Sequence, residues 1–124
     1  MPPNGHALLS ASASDRWLHC PPSARLCELY EDKGSDYAAE GTDAHTLCEY
    51  KLRKALGMAA TDPTENLTYY SQEMEDCAAG YAAYVSELLE TAKQTCADPL
   101  ILIEQRVDFS RWGQDGFGTA DCII

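Results

Sequence analysis

Three polar side chains occupy positions where the surrounding pattern calls for an apolar residue: His45, Glu104 and Asp121. His45 falls on the inner face of a predicted helix, Glu104 follows an apolar run, and Asp121 is enclosed by small and apolar residues. A carboxylate that is ionised in an apolar strand is costly unless a cation or several hydrogen-bond donors meet it. Imidazole and carboxylate groups ligate divalent cations, and Mg²⁺ or Mn²⁺ prefers oxygen donors. The residue types therefore predict a metal site.

Each of the three residues also has a purely structural interpretation. His45 could be a hydrogen-bonded core histidine, which is the commoner situation on an apolar helix face. Glu104 could turn outward or pair with Arg106. Asp121 could accept hydrogen bonds from the backbone of a hairpin. Residue spacing alone favours these structural interpretations and leaves the metal site as the minority hypothesis.

Two short helices are predicted near the start of the chain. Ser12 and Asp15 resemble a capping box, and the helix should end before Pro21, because proline excludes α geometry from the residue before it. Trp17 should fill the core between the short helices. Ser23 is the expected N-cap of the second helix, which should turn three apolar side chains inward, Leu26, Leu29 and Tyr30.

Two longer helices follow. The first should run from Asp36 to Leu56 and end at Gly57. Steps of three and four place one set of residues on its inner face: Gly41, His45, Cys48, Leu52, Ala55 and Leu56. Ser71 should cap the second helix, from about Gln72 to Thr95. The apolar stripe of that helix is predicted to contain Met74, Cys77, Ala78, Tyr81, Val85, Leu88 and Ala92.

The periodicity then changes to that of β-strands. Residues 100–103 form a continuous apolar run, typical of a strand covered on both faces, and the strand should continue to Phe109. Residues 115–116, Asp-Gly, are a strong hairpin signal. The second strand should bury Phe117, Cys122, Ile123 and Ile124. Helices followed by a hairpin predict an α+β (mixed α/β) fold class.

Length, composition and charge narrow the class of protein. With 124 residues, 45% of them hydrophobic, the chain should form one modest core and not two domains. No apolar run is long enough to cross a bilayer, and the N-terminus lacks the pattern of a secretory signal, so we expect an intracellular protein without a membrane partner. The net charge of −11 argues against a generic nucleic-acid-binding surface. This charge does not exclude a nuclease, because metal ions can bridge acidic side chains to phosphate.

The six cysteines are not spaced as a zinc site, since no two form a C-x-x-C pair. In an intracellular protein most of them should be reduced. Cys48 and Cys77 fit the predicted helix stripes as small core residues.

Two short motifs give the chain a family resemblance. Residues 40–45, E-G-T-D-A-H, contain G-x-x-x-H on a predicted helix, and residues 118–121, G-T-A-D, resemble a G-x-x-D strand motif. Both occur in this order in the RecB-like branch of the PD-(D/E)XK nuclease superfamily. The segment from Ser10 to Leu26 also resembles the start of a phage-associated family in that branch, long labelled a domain of unknown function. The likeness extends from about His6 to Ile124.

The resemblance implies the front portion of a restriction-endonuclease-like core, built of a helix, three strands, a helix and a strand. Residues 1–124 would be the N-terminal portion of a single nuclease domain, ending after its second core strand. His45 and Asp121 would be catalytic metal ligands for Mg²⁺ or Mn²⁺, with Glu104 as a further candidate ligand. The superfamily's next motif is (D/E)-x-K on the strand that follows, and no such motif comes after Asp121, so the chain by itself should not cut DNA.

Cys20 is a candidate cofactor ligand by the same resemblance. Several RecB-like nucleases hold a [4Fe–4S] cluster with one cysteine before the nuclease motifs and three near the C-terminus, and Cys20-Pro21 resembles the first of these. The other three ligands would lie beyond Ile124. The alternative is a small buried thiol beside a helix end.

Two hypotheses of function follow. The first is a metal-dependent deoxyribonuclease of phage or prophage type, acting on DNA in the cytoplasm of a bacterial host or a phage-infected cell. The second is a non-enzymatic, acidic helical interaction module. An exposed strand edge at the end of the sequence favours self-association in either case.

Overall fold

The computed structural model describes residues 7–31 and 33–124. In this part of the chain the elements follow one another as a 3₁₀ turn (Ala11–Ala13), α1 (Ser14–His19), α2 (Ser23–Cys27), α3 (Asp36–Ala55), a second 3₁₀ turn (Thr64–Asn66), α4 (Gln72–Lys93), β1 (Leu102–Asp108) and β2 (Phe117–Ile123). The two strands form an antiparallel two-stranded sheet. The predicted α+β class, helices followed by a hairpin, is confirmed. No helix in the described residues is both long and apolar enough to span a bilayer.

The chain divides into two compact units. One contains the described residues of Met1–Lys33 together with Glu104–Ala120, and the other contains Gly34–Ile103 together with Asp121–Ile124. We call them the hairpin unit and the helical unit. The helical unit holds α3 and α4, and the hairpin unit holds the short helices and most of the sheet.

The ends of the two long helices are fixed by local hydrogen bonds. The Ser35 hydroxyl accepts a bond from the Ala38 amide, and the Ser71 hydroxyl accepts one from the Met74 amide, each 3.1 Å long. The predicted cap at Ser71 is therefore confirmed. Gly57 has φ +74°, and the amides of residues 57 and 58 donate to the carbonyls of residues 54 and 53. This Schellman pattern ends α3, as predicted.

The core of the helical unit lies between α3 and α4. Leu47 and Leu52 of α3 are fully buried, and Leu47 packs with Met74 and Ala78 of α4. On α4, the predicted inward positions of Met74, Ala78 and Val85 are confirmed. The sequence prediction was wrong for Cys77 and Leu88, which are exposed, while Ala82 and Leu89 are buried instead. The packed stripe is narrower than the predicted one, because a single helix, α3, covers it.

A polar bridge also joins the two long helices. The Lys51 ammonium pairs with the Glu75 carboxylate, and the Tyr70 hydroxyl donates to the other oxygen of that carboxylate at 3.0 Å. The hydrogen bond from Lys51 lowers the pKa of Glu75 and is the largest effect on it. The hydrogen bond from Tyr70 lowers that pKa as well. The bridge fixes the register of α3 against α4 at one point.

This bridge predicts a pH dependence of stability. Because the pKa of Glu75 is lowered on folding, its contribution is complete above the ordinary value of 4.5 and is lost as the pH falls through the folded pKa. The pKa of Lys51 is raised, chiefly by the same hydrogen bond, so its contribution is lost only under strongly alkaline conditions. Thermal melts below pH 4.5 should therefore show a shallower loss of stability for Glu75→Gln than for the unchanged protein. Glu73→Gln, in the same helical turn, should follow the unchanged protein.

The hairpin unit departs further from the sequence prediction. α1 begins at Ser14, and no side chain caps it, so the predicted capping box at Ser12 is wrong. Trp17 is half-buried, and its indole Nε1–H donates to the Ser10 carbonyl at 2.8 Å. Three apolar side chains that the sequence placed inward are exposed by 55%, 78% and 73%: Leu26, Leu29 and Tyr30. Because α2 has only five residues, it presents just one turn for packing.

The strands are less buried than their sequences predict. Leu100 precedes β1 and is 69% exposed, and Ile123 and Ile124 are 37% and 44% exposed. Both strands of a two-stranded sheet are edge strands, so neither has the covered faces of a central strand. The predictions of a fully covered first strand and a buried second strand are wrong for the described structure.

Candidate functional site

The geometry of the helical unit brings together two of the residues singled out from the sequence. His45 lies in the middle of α3, and Asp121 lies near the end of β2. Their Nδ1 and Oδ1 atoms are 3.4 Å apart. The contact joins two distant parts of the chain. The two motifs that carried the family resemblance therefore meet in the folded chain.

A second histidine–aspartate pair shows which aspect of this contact is informative. His19 and Asp15 also lie 3.4 Å apart between Nδ1 and Oδ1, but they are one turn apart on α1. Helical spacing alone produces such a neighbour, and an exposed pair of this kind is worth about 0–1 kcal/mol. His45 and Asp121 have no such local reason to be adjacent. The separation is therefore the same in both pairs, and what distinguishes the pair of His45 and Asp121 is that the two residues are far apart in the sequence.

The burial predicted for this pair is wrong. The side chains of His45 and Asp121 are 65% and 56% exposed, because the inner face of α3 is formed by Leu47 and Leu52. Water therefore solvates the carboxylate, and no cation is required to offset its burial. The case for a cation rests on the donor pair, not on desolvation.

The donor pair fits a small divalent cation in an open site. Adjacent ligand atoms around an octahedral ion with bonds near 2.0–2.1 Å lie about 3 Å apart, close to the observed separation. A carboxylate oxygen suits Mn²⁺ and Mg²⁺, whereas an imidazole nitrogen suits ions such as Fe²⁺ and Zn²⁺. Within residues 7–31 and 33–124, no group of three or more His, Cys, Asp and Glu side chains could hold a metal. A cation at this place would have at most these two side-chain ligands from the described residues.

Two thiols share the electrostatic environment of Asp121. Burial raises the pKa of Cys48, and the nearby Cys77 and Asp121 raise it further. Burial also raises the pKa of Cys122, with Asp121 adding to the effect. Both thiols are therefore neutral at pH 7. Cys48 was predicted as a small core residue on the same face as His45, and its position three residues after His45 on α3 does put the two on the same side.

The remaining residues of the E-G-T-D-A-H motif support the surface around His45. The Asp43 carboxylate accepts a hydrogen bond from the Tyr69 amide at 2.9 Å, which ties the loop between α3 and α4 to α3. A Cβ at Gly41 would meet nothing within 4 Å, so packing does not require glycine there. Glycine in a helix costs about 0.5–1 kcal/mol relative to alanine. Gly41 lines a groove of about 360 Å³ between α3 and α4, together with Cys48, Met74 and Cys77.

Glu104, the third predicted ligand, belongs to the hairpin unit and is half-buried. Its φ of +51° places a non-glycine residue of β1 in the left-handed region. Such a conformation costs about 1–3 kcal/mol and is found most often at functional sites. The Arg106 guanidinium lies 4.3 Å from the centre of the Phe117 ring. The pairing of Glu104 with Arg106 stays a prediction.

Cys20 follows α1 directly in the hairpin unit, and its amide donates to the Arg16 carbonyl at 2.8 Å. The thiol is exposed, so the interpretation of Cys20 as a buried thiol is wrong. Cys77, interpreted as a core residue, is exposed as well. A role for Cys20 as a cluster ligand stays a prediction.

Comparison with known proteins places the chain in a family. No solved structure matches it. The sequence pattern of a family described as "Protein of unknown function (DUF2800)" matches residues 6–124, nearly the whole chain. The chain belongs to the DUF2800 family.

Proposed function

We propose that this chain is the N-terminal part of a metal-dependent deoxyribonuclease of the RecB-like type, in which His45 and Asp121 hold Mg²⁺ or Mn²⁺. The observation that supports the proposal best is the 3.4 Å approach of the two motif residues from distant parts of the chain. The proposal places the protein inside a bacterial or phage-infected cell, with DNA as its substrate.

The residues of this chain would have distinct roles. His45 and Asp121 would hold the ion, and Mg²⁺ or Mn²⁺ bound there would supply Lewis-acid activation of a phosphodiester and of water. His45 would contribute Nδ1 and Asp121 would contribute Oδ1, both accessible to phosphate because both are more than half exposed. Asp43, bonded to the Tyr69 amide, would hold the loop beside α3 and so position His45.

Glu104 and Cys20 enter the proposal through the family resemblance. Glu104 belongs to the hairpin unit, and its φ of +51° is the structural feature that makes it a candidate functional residue. Cys20, whose thiol is exposed, would be the first thiolate ligand of a [4Fe–4S] cluster by that resemblance.

Titration calorimetry with MnCl₂ tests the proposal. We expect weak binding by the unchanged chain, loss of that binding in Asp121→Ala and in His45→Ala, and weaker binding of Mg²⁺, since imidazole suits Mn²⁺ better. Asp15→Ala and His19→Ala are matched controls, because they disrupt a pair with the same separation of 3.4 Å. Equal Mn²⁺ binding by Asp121→Ala and the unchanged chain would contradict the proposed site.

Exposed apolar side chains in and just after α2 favour the second candidate, an acidic helical interaction module. Leu26 at the end of α2 and Leu29 and Tyr30 in the turn that follows it are each more than half exposed. Apolar side chains grouped in this way are typical of a surface that binds protein. Sedimentation would show self-association that Leu29→Ser reduces, and Mn²⁺ binding would be indifferent to Asp121→Ala. The nuclease candidate therefore predicts that Asp121→Ala loses Mn²⁺ binding, and the interaction-module candidate predicts that it does not.

A further inference from the structure

The connection between β1 and β2 is a compact turn that presents an indole to solvent. We call residues 109–116 the hairpin tip. The amides of Trp112 and Gly113 donate to the Phe109 carbonyl at 2.9 and 3.0 Å, and the Gly116 amide donates to the Gly113 carbonyl at 2.8 Å. The Asp108 carboxylate accepts a further bond from the Ser110 amide at 2.8 Å. The backbone of the tip is thus well fixed, yet the Trp112 side chain is 79% exposed.

This exposure distinguishes Trp112 from the other tryptophan of the chain. Trp17 is half-buried, and its indole nitrogen is bonded to the Ser10 carbonyl. Tryptophan is highly buried on average, because its large apolar surface is costly to leave in water. A tryptophan held out on a rigid turn is therefore a candidate for contact with a partner.

The charges beside Trp112 indicate the chemistry of that partner. The Arg111 guanidinium lies 5.6 Å from the centre of the Trp112 ring, and it makes no ion pair within the described residues. Arg16 and Arg106 also make no ion pair in the part of the chain that the structure describes, so Arg111 is set apart by its place beside the exposed Trp112 ring and not by lacking a partner. An exposed indole with a guanidinium beside it matches a nucleotide, which offers a base to stack and a phosphate to pair.

We propose that the hairpin tip is a contact for single-stranded DNA, in which a base stacks on Trp112 and Arg111 engages a neighbouring phosphate. The proposal rests on the proposed nuclease function and names the element that holds its substrate strand. It also accounts for how an acidic chain binds DNA, since stacking does not depend on net charge. One arginine supplies few phosphate contacts, so binding should weaken only gently with salt.

Tryptophan fluorescence provides the test. In Trp17→Phe, Trp112 is the only indole, because the chain has two tryptophans. We expect its emission to be quenched by an oligothymidylate added in EDTA at low salt. Anisotropy of the labelled oligonucleotide should show an affinity lowered by about tenfold in Trp112→Ala, the range expected for one stacked base. Trp112→Phe should lose less, and Arg111→Ala should lose affinity and reduce the salt dependence.

Tyr30→Ala is the matched control, since Tyr30 is an aromatic residue of the same unit with 73% exposure. Its affinity should equal that of the unchanged chain. Unaltered Trp112 emission, or equal affinity of Trp112→Ala and the unchanged chain, would overturn the proposal. So would a response of Trp112 to anionic lipid vesicles with none to the oligonucleotide. EDTA removes divalent cations, so the oligonucleotide experiment does not depend on the metal site. If the oligonucleotide does not bind but Mn²⁺ binding is intact, only the proposed DNA contact at the hairpin tip is rejected. If the oligonucleotide binds but Mn²⁺ does not, only the metal site is rejected.

Discussion

Leu47→Ala should lower the free energy of unfolding by about 2–5 kcal/mol. Leu47 is completely buried and packs with Met74 and Ala78, where α3 crosses α4. Truncation removes the transfer free energy of the side chain and leaves a cavity that two helices held by caps cannot close freely. Chemical denaturation followed by far-ultraviolet circular dichroism measures this loss, because α3 and α4 are the longest helices of the chain.

Leu88→Ala is the matched control for this substitution. The sequence pattern placed Leu88 in the apolar stripe of α4, but the side chain is 42% exposed. We expect it to cost about 1 kcal/mol or less, as surface substitutions do. If Leu88→Ala were as destabilising as Leu47→Ala, the packed face of α4 would be the one predicted from the sequence and not the one observed.

Gly116→Ala should destabilise the hairpin by about 1–3 kcal/mol, the cost of inserting a methyl group into a filled space. A Cβ on Gly116 would lie 2.4 Å from Cδ2 of Phe109 and 2.8 Å from the Gly113 carbonyl oxygen. That carbonyl accepts the Gly116 amide, so it cannot move away without losing a hydrogen bond of the tip. Amide hydrogen exchange at Phe109 reports the effect directly, because its amide is bonded to the Gly116 carbonyl at 3.0 Å.

Gly118→Ala, two residues further along the chain, separates this close approach from a general effect of removing glycine. A Cβ there would meet nothing within 4 Å. We expect a change in stability of about 0.5 kcal/mol or less and unaltered exchange at Phe109. Equal destabilisation by both substitutions would show that the ring of Phe109 does not pack over Gly116 as described.

The long helices were predictable because their signals are local. The Ser71 side chain caps the start of α4, and the backbone of Gly57 ends α3. Both signals act within four residues, and both helix ends were predicted to within one residue. Which side of each helix is buried depends on what covers it, and that is not local. The predicted stripe of α4 therefore included Cys77 and Leu88, which face solvent, and Leu47 was overlooked although it is fully buried.

The burial of the strands and of α2 could not be predicted for the same reason. An apolar run such as residues 100–103 indicates a strand but not the number of its neighbours, and here the sheet has two strands. Leu29 follows helical spacing, yet the five residues of α2 offer too little surface to enclose it.

The candidate site was predictable only in part. Neither composition nor spacing could show that His45 and Asp121 are neighbours, because nothing local links α3 to β2; the motif resemblance supplied that expectation. The environment was predicted wrongly, since both side chains are more than half exposed. The exposed indole of Trp112 left no signal in the sequence, because burial of an aromatic residue in a turn is decided by the packing of the whole tip.

Paramagnetic broadening of histidine side chains by Mn²⁺ tests the metal site most directly. His45 and His19 each face an aspartate at 3.4 Å, so the same spectrum contains the candidate and its control. At substoichiometric Mn²⁺ the imidazole signals of His45 should broaden first, those of His19 should persist, and excess Mg²⁺ should restore the His45 signals. Equal broadening of both histidines, or broadening of His45 that survives in Asp121→Ala, would contradict a metal site formed by His45 and Asp121.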